Sequence, residues 1–269
     1  MDRWSFLDSA AAPGAENMAL DEMLLEEAAL RRAPVLRLYS FDPPAVTIGY
    51  HQDPARILDM DAMRADGLDC VRRITGGRAL LHEGELTYCV VAPAGAGCLG
   101  TDAAGAYLRI SEALAAAIRS LGVDAEVTRG RESVGRGSGA AQPCLASTTR
   151  YELAVRGRKI AGSAQRKTAT AFLQHGSILM RPGSSRIVRY LLGARGSLED
   201  RVTSIEGELA RSVDEQALRA AIAGAFLGVF DVEWEPLRLS ERDRGEIASR
   251  AAEKRREMNA CFAGEVCSP

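Results

Sequence analysis

Two side chains in this sequence are candidates for covalent chemistry together, the thiol of Cys144 and the ammonium of Lys159. Cys144 follows Gly135-Arg136-Gly137-Ser138-Gly139, which is too rich in glycine to pack a core. That predicts an accessible thiol beside a mobile loop. Most cysteines are buried and inert, so accessibility separates a nucleophile from a packing residue. A thiolate that attacks an acyl carbon splits one difficult transfer into two easier ones. A nearby lysine favours the thiolate, or binds the oxyanion of the tetrahedral intermediate. Each residue also has a plainer reading. Lysines are mostly solvated surface charges, and a lone cysteine is not by itself a nucleophile.

The segment around Lys159 reads as strands. Tyr151, Leu153 and Val155 alternate with Glu152, Ala154 and Arg156, the period of a half-buried strand. Gly157 and Arg158 make a short turn, and Lys159 to Ala164 returns, so a hairpin is predicted. Phe172 to Met180 is a third strand. Gly162, Ser163, Ala164 and Gly176 leave room beside the backbone. Either a ligand chain approaches there or the strands pack tightly.

A second group lies upstream, in Val71-Arg72-Arg73-Ile74-Thr75-Gly76-Gly77-Arg78-Ala79-Leu80-Leu81-His82. A Gly-Gly turn flanked by arginines offers backbone N–H groups and positive charge to an anion. It is equally a plain turn between strands, with arginines on the surface. Neither usual nucleotide-loop pattern is present. His82 is open to three roles, as a pocket wall, a hydrogen-bond partner or a general base.

The remaining elements must hold these groups in place. Trp4 to Leu7, Val35 to Tyr39, Ala45 to Gly49, Leu86 to Ala92 and Val123 to Thr128 read as strands. Residues 16–33, 54–65, 103–121, 186–192, 213–229 and 240–258 read as helices, the third ended by Gly122. Cys89 falls in a buried strand and is explained by packing. The alternation points to an α+β fold, or a mixed α/β sheet layered with helices. At 269 residues with no long linker, a single catalytic domain over 1–269 is expected.

A net charge of −2 argues against a general nucleic-acid binder. Six cysteines without a CxxC pair, and only three histidines, argue against a zinc site, and no metal is expected. No stretch reaches the ~18–20 apolar residues of a membrane span, and the start carries early acids, unlike a signal peptide. A cytoplasmic protein is expected.

Four ordered segments carry a resemblance. They are Asn17-Met18-Ala19-Leu20-Asp21, then Pro44-Ala45-Val46-Thr47-Ile48-Gly49-Tyr50-His51-Gln52, then Arg72 to His82 as written above. The last is Gly157 to Gln165 with Leu173-Gln174-His175-Gly176-Ser177-Ile178. The chain resembles the biotin/lipoate protein ligase superfamily, and within it the octanoyltransferases that load lipoyl domains. The resemblance implies the biotin/lipoate ligase catalytic-domain fold, similar to class II aminoacyl-tRNA synthetases, with a central mixed, partly antiparallel sheet flanked by helices. It implies that Lys159 is the active-site lysine and that Cys144 is the nucleophile. It also implies an acyl pocket built from Arg72, Arg73, Gly76, Gly77, Arg78 and His82 with Gly162, Ser163, Ala164, His175 and Gly176. Arg78 follows the Gly-Gly-Arg of the transferases, where many ligases have a third glycine. The KTATA run, Lys167 to Ala171, departs from the family at a common glycine position.

The implied reaction moves octanoyl from octanoyl-acyl carrier protein, through a cysteine thioester, to a lysine of a lipoyl domain such as glycine cleavage H protein. It needs no cofactor. Both partners are acidic proteins, which makes Arg72, Arg73, Arg166 and Lys167 the expected docking face. Three other functions compete. They are an ATP- and magnesium-dependent lipoate ligase, an amidotransferase between lipoyl domains, and a non-catalytic acyl or lipoyl-domain binding protein.

Overall fold

Two strands at the middle of the main sheet are buried almost end to end, yet both carry polar residues. These are Glu85–Pro93 and Ala171–Leu179, which hold Glu85, Thr87, Gln174, His175 and Ser177. Buried polar groups need partners, so this is where a site is built into the core. The computed structural model describes residues 2–31, 33–99, 102–128, 151–194 and 197–263. Cys144 and its glycine-rich approach lie outside the described residues.

In chain order the elements are β1 (Asp2–Asp8), α1 (Gly14–Arg31), β2 (Val35–Tyr39), β3 (Ala45–Ile48), α2 (Pro54–Ile57) and α3 (Met60–Ala65). Then come β4 (Asp69–Arg72), β5 (Leu80–His82), β6 (Glu85–Pro93), α4 (Ala103–Ser120), β7 (Glu126–Val127) and β8 (Leu153–Val155). The chain continues through β9 (Arg158–Lys167), β10 (Ala171–Leu179), α5 (Ile205–Leu209), α6 (Glu215–Phe230), β11 (Val232–Pro236) and α7 (Glu241–Phe262). The main sheet has eight strands in the order β11-β1-β2-β6-β10-β9-β8-β7, and β4-β3-β5 form a smaller one. β1 runs parallel to β2 and β11, and the strands from β2 to β7 pair antiparallel. The fold is therefore α+β with a mixed sheet.

Strand alternation sorts the core into layers. Leu36 and Leu38 of β2, with Tyr88 and Val90 of β6, meet Ile110 and Leu114 of α4 and Ile222 and Phe226 of α6. Val35 and Tyr39, with Cys89 and Val91, face Leu24 of α1, and Ile247 and Ala251 of α7 join the same layer. A third cluster joins the small sheet to Met63, Tyr190 and Met258. Cys89 is fully buried, and burial pushes its thiol well above the ordinary range.

Some elements differ from the sequence reading. The helix expected over 54–65 is two, because Asp59 caps a new start by accepting from the Ala62 N–H. The turn of the β8–β9 hairpin is Arg156-Gly157, with φ of 49° and 76°, so β9 begins at Arg158. The strand expected over 123–128 shortens to Glu126–Val127. The helix expected over 186–192 is a 3-10 helix over Ser184–Tyr190. β11 and α5 were not anticipated. β11 is a short edge strand whose parallel partner, β1, lies at the other end of the sequence.

Candidate active site

A cavity lies where the small sheet meets β9 and β10, with Met18 of α1 at its wall. The atom-free space there, about 370 Å³, includes open solvent at its mouth. Its lining includes Tyr39, Thr47, Arg73, Leu80, His82, Thr87, Gly162, Ser163, Ala164, His175, Gly176 and Ser177. Many of these are polar, but they are turned onto one another, so the exposed wall is largely carbon.

His82 shows how. Its Nε2 lies 2.8 Å from Thr47 Oγ1 and its Nδ1 lies 2.6 Å from Glu85 Oε1. Thr87 donates to the same Glu85 oxygen, and the ring stacks on Phe41 at 3.9 Å. Both ring nitrogens are engaged, so His82 is a wall and a hydrogen-bond partner. The general-base option requires one of these two contacts to open.

His175 bridges two elements. Nε2 is 2.7 Å from Thr75 Oγ1, which pins the Gly-Gly turn, and Nδ1 is 2.8 Å from Asp21 Oδ2. Asp21 accepts from Arg37 at 2.6 Å and from Tyr39 at 2.8 Å, while Arg37 donates to Asn17 Oδ1 at 2.6 Å. Burial alone would raise the Asp21 carboxyl. Arg37, followed by His175 and Tyr39, outweighs burial and holds it below the ordinary carboxylate value.

Adjacent arginines of the 72–82 segment do different things. Arg73 folds the Gly-Gly turn back, donating to the carbonyls of Gly76 at 3.0 Å and Arg78 at 2.8 Å and to Thr47 Oγ1 at 3.0 Å. Gly77 has φ of 97°, and a Cβ there would sit 2.7 Å from the Arg73 guanidinium. Arg72 points elsewhere, to Glu257 of α7 at 2.8 Å and to the carbonyls of Tyr50 and Gln52 at 2.8 and 2.7 Å. The structure therefore does not bring Arg72 to the cavity. Gly76, Gly77 and Arg78 belong to the turn rather than to the cavity lining. Arg72 and Arg73 are buried, which corrects their expected place on a docking face. Arg166 is half-buried, donating to the Ile74 carbonyl at 2.9 Å, and Lys167 is exposed.

Gly162, Ser163, Ala164, His175 and Gly176 line the cavity together. Gly176 has no space for a side chain. A Cβ would meet Gly162 O at 2.4 Å, Ser163 Oγ at 2.6 Å and a Tyr88 ring carbon at 2.9 Å. Gly176→Ala is expected to cost about 1–3 kcal/mol, read as a lowered midpoint in chemical denaturation. Behind these residues runs a chain that the sequence reading missed. Gln165 donates to Gln174 at 2.8 Å, Gln174 to Tyr88 at 2.7 Å, and Tyr88 meets Ser163 Oγ at 2.6 Å. Gln165 and Gln174 face each other across β9 and β10, a pairing visible only once the register is known.

Lys159 is not a solvated surface charge. Its Nζ donates to Glu152 Oε1 at 2.6 Å, and both side chains are 3% exposed. Its backbone N–H donates to the Arg201 carbonyl and its carbonyl accepts from Thr203, both at 2.8 Å. It lies on β9 ahead of Gly162, outside the cavity lining. Among the described residues, no group of three His, Cys, Asp or Glu side chains is placed to hold a metal, and no helix is long and apolar enough to cross a membrane.

Known proteins resemble this chain along most of its length. Residues 13–227 match the lipoyl protein ligase A/B catalytic domain. Octanoyltransferase LipM of Moorella thermoacetica is 34% identical over 255 residues, 91% of this chain and 93% of that one. Octanoyltransferase LipM of Symbiobacterium thermophilum is 36% identical over 254 residues, covering 90% and 92%. Among solved structures, lipoate-protein ligase A bound with ATP superposes with a TM-score of 0.79 at 22% identity, covering 95% and 96% of the two chains. A bi-partite lipoate protein ligase from Thermoplasma acidophilum gives 0.77 at 20% identity, covering 95% and 94%. Fold, family match and long relatives agree, and the chain belongs to the lipoyl protein ligase A/B catalytic-domain family.

Proposed function

We propose that this chain is an octanoyltransferase of protein lipoylation, taking octanoyl from acyl carrier protein through a thioester on Cys144 to a lysine of a lipoyl domain. The observation that carries this reading is the match, over about nine-tenths of the chain, to octanoyltransferases. The cavity supports it, since its exposed wall is largely carbon and burying an alkyl tail is worth about 0.8 kcal/mol per CH₂.

The chemistry balances without ATP or a metal. The Cys144 thiolate bonds to the acyl carbon, the carrier's C–S bond breaks, and the carrier's thiol leaves with a proton from solvent. One thioester replaces another, close to an even exchange. The lysine amine of the lipoyl domain then attacks, its proton passes to the departing Cys144 sulfur, and the amide that forms drives the reaction. A free thiol has a pKa of ~8.5 and is mostly protonated at neutral pH. A buried ammonium such as Lys159 favours the negative charge that develops on sulfur or oxygen in each step.

Incubation with octanoyl-acyl carrier protein and no ATP is expected to add one octanoyl group to the intact mass. Hydroxylamine removes the adduct, and Cys144→Ala never gains it. A ligase would gain no mass without ATP and magnesium, and its Cys144→Ala variant would stay active. An adduct from an octanoylated lipoyl domain, but none from carrier protein, would move the reading to the amidotransferase.

A further inference from the structure

We propose that Glu152 is a positioning residue of this transfer, holding the Lys159 ammonium in the orientation the acyl step requires. The inference rests on the reading of Lys159 as the lysine that acts on the acyl group.

Two Lys or Arg ion pairs among the described residues are almost wholly buried on both sides, Arg37–Asp21 and Lys159–Glu152. The first has a structural account. It ties α1 to β2 and, through His175, to β10. The second joins segments that already hold each other. Ala154 pairs with Lys159 and Leu153 with Ala161 in the β8–β9 ladder. Removing two charges from water is expensive, and a buried pair is weak evidence for stability. The β8–β9 ladder already holds these two strands, so what the pair adds between them is the placement of its ammonium.

The backbone around Glu152 is built to place that carboxylate. The ladder shifts register between Leu153 and Ala154, and Tyr151 takes a φ of 70°. Tyr151 N–H donates to the Thr128 carbonyl, and Thr128 N–H donates to the Glu152 carbonyl. Ser111 of α4 donates to the Tyr151 carbonyl at 2.8 Å. The Lys159 backbone is clamped separately by Arg201 and Thr203. Carboxylate and ammonium thus approach from two fixed points.

The test is a double-mutant cycle on single-turnover octanoyl loading from octanoyl-acyl carrier protein, read by intact mass. Glu152→Gln is expected to lower the limiting rate about ten- to hundred-fold, with the half-saturating carrier concentration unchanged. Glu152→Asp keeps the charge but withdraws it by one carbon, and should also load several-fold more slowly. In a Lys159→Met background, Glu152→Gln should cost nothing further, because residues acting as a unit are not additive. Full-rate loading by folded Glu152 variants, or an equal slowing in both backgrounds, would overturn the positioning role. A full-rate Lys159→Met enzyme would instead sink the reading of Lys159, and this inference with it.

Discussion

Lys159→Met is expected to slow octanoyl loading by about 10²–10³-fold, the usual effect of removing one preorganised donor to a developing oxyanion. On that reading water cannot substitute for the Lys159 ammonium, whose side chain is 3% exposed and bonded to a carboxylate. Low local dielectric strengthens such a group relative to the same ammonium on a surface. The substitution also strands Glu152, and an unpaired buried carboxylate destabilises until it takes up a proton. The variant Lys159→Met/Glu152→Gln leaves no charge behind and separates the two effects. Its thermal midpoint should recover toward that of the parent while its loading rate stays low. Recovery of rate together with stability would mean that Lys159 acts only through the fold.

Asp21→Ala is expected to remove about 3–5 kcal/mol, because it leaves Arg37 buried with its charge uncompensated. For a chain of this size that corresponds to a midpoint lowered on the order of 10 °C. The same residue predicts an acid limb. The Asp21 carboxyl is held below its ordinary value in the folded state. Its contribution is therefore complete above the unfolded value near 3.8 and is lost as pH falls through the lower folded value. Midpoints of parent and Asp21→Ala should run parallel at neutral pH and converge below about pH 4. Parallel curves at every pH would show that Asp21 does not carry this linkage.

How far the sequence disclosed the fold and site depended on the kind of signal. The β8–β9 hairpin and α4 were legible because period and stop signals are local, with Gly122 ending α4 at a φ of 98°. The cavity wall from Gly162 to Gly176 was legible because small residues cluster on two adjacent strands. Partners far apart in sequence were not. Asp21 and His175 are separated by 154 positions, and nothing in either segment predicts their 2.8 Å contact. Arg72 and Arg73 looked equivalent as a doublet. Neighbouring residues on an extended chain face opposite ways, and only one of the two reaches the cavity. Glu152 reads as the polar face of a half-buried strand, and neither its burial against Lys159 nor the register shift one residue on leaves a mark in composition.

The last helix has a consequence for how such an enzyme is handled. α7 is seamed to α1 by Glu22–Lys254, Glu26–Arg250 and Glu16–Arg255, and its Glu257 holds Arg72, which in turn holds the carbonyls of residues 50 and 52. Exposed members of that seam weaken as ionic strength rises, whereas the enclosed Arg37–Asp21 pair is screened far less. The buffer thus acts unevenly on the molecule, loosening the α7–α1 seam before it touches the framework beneath.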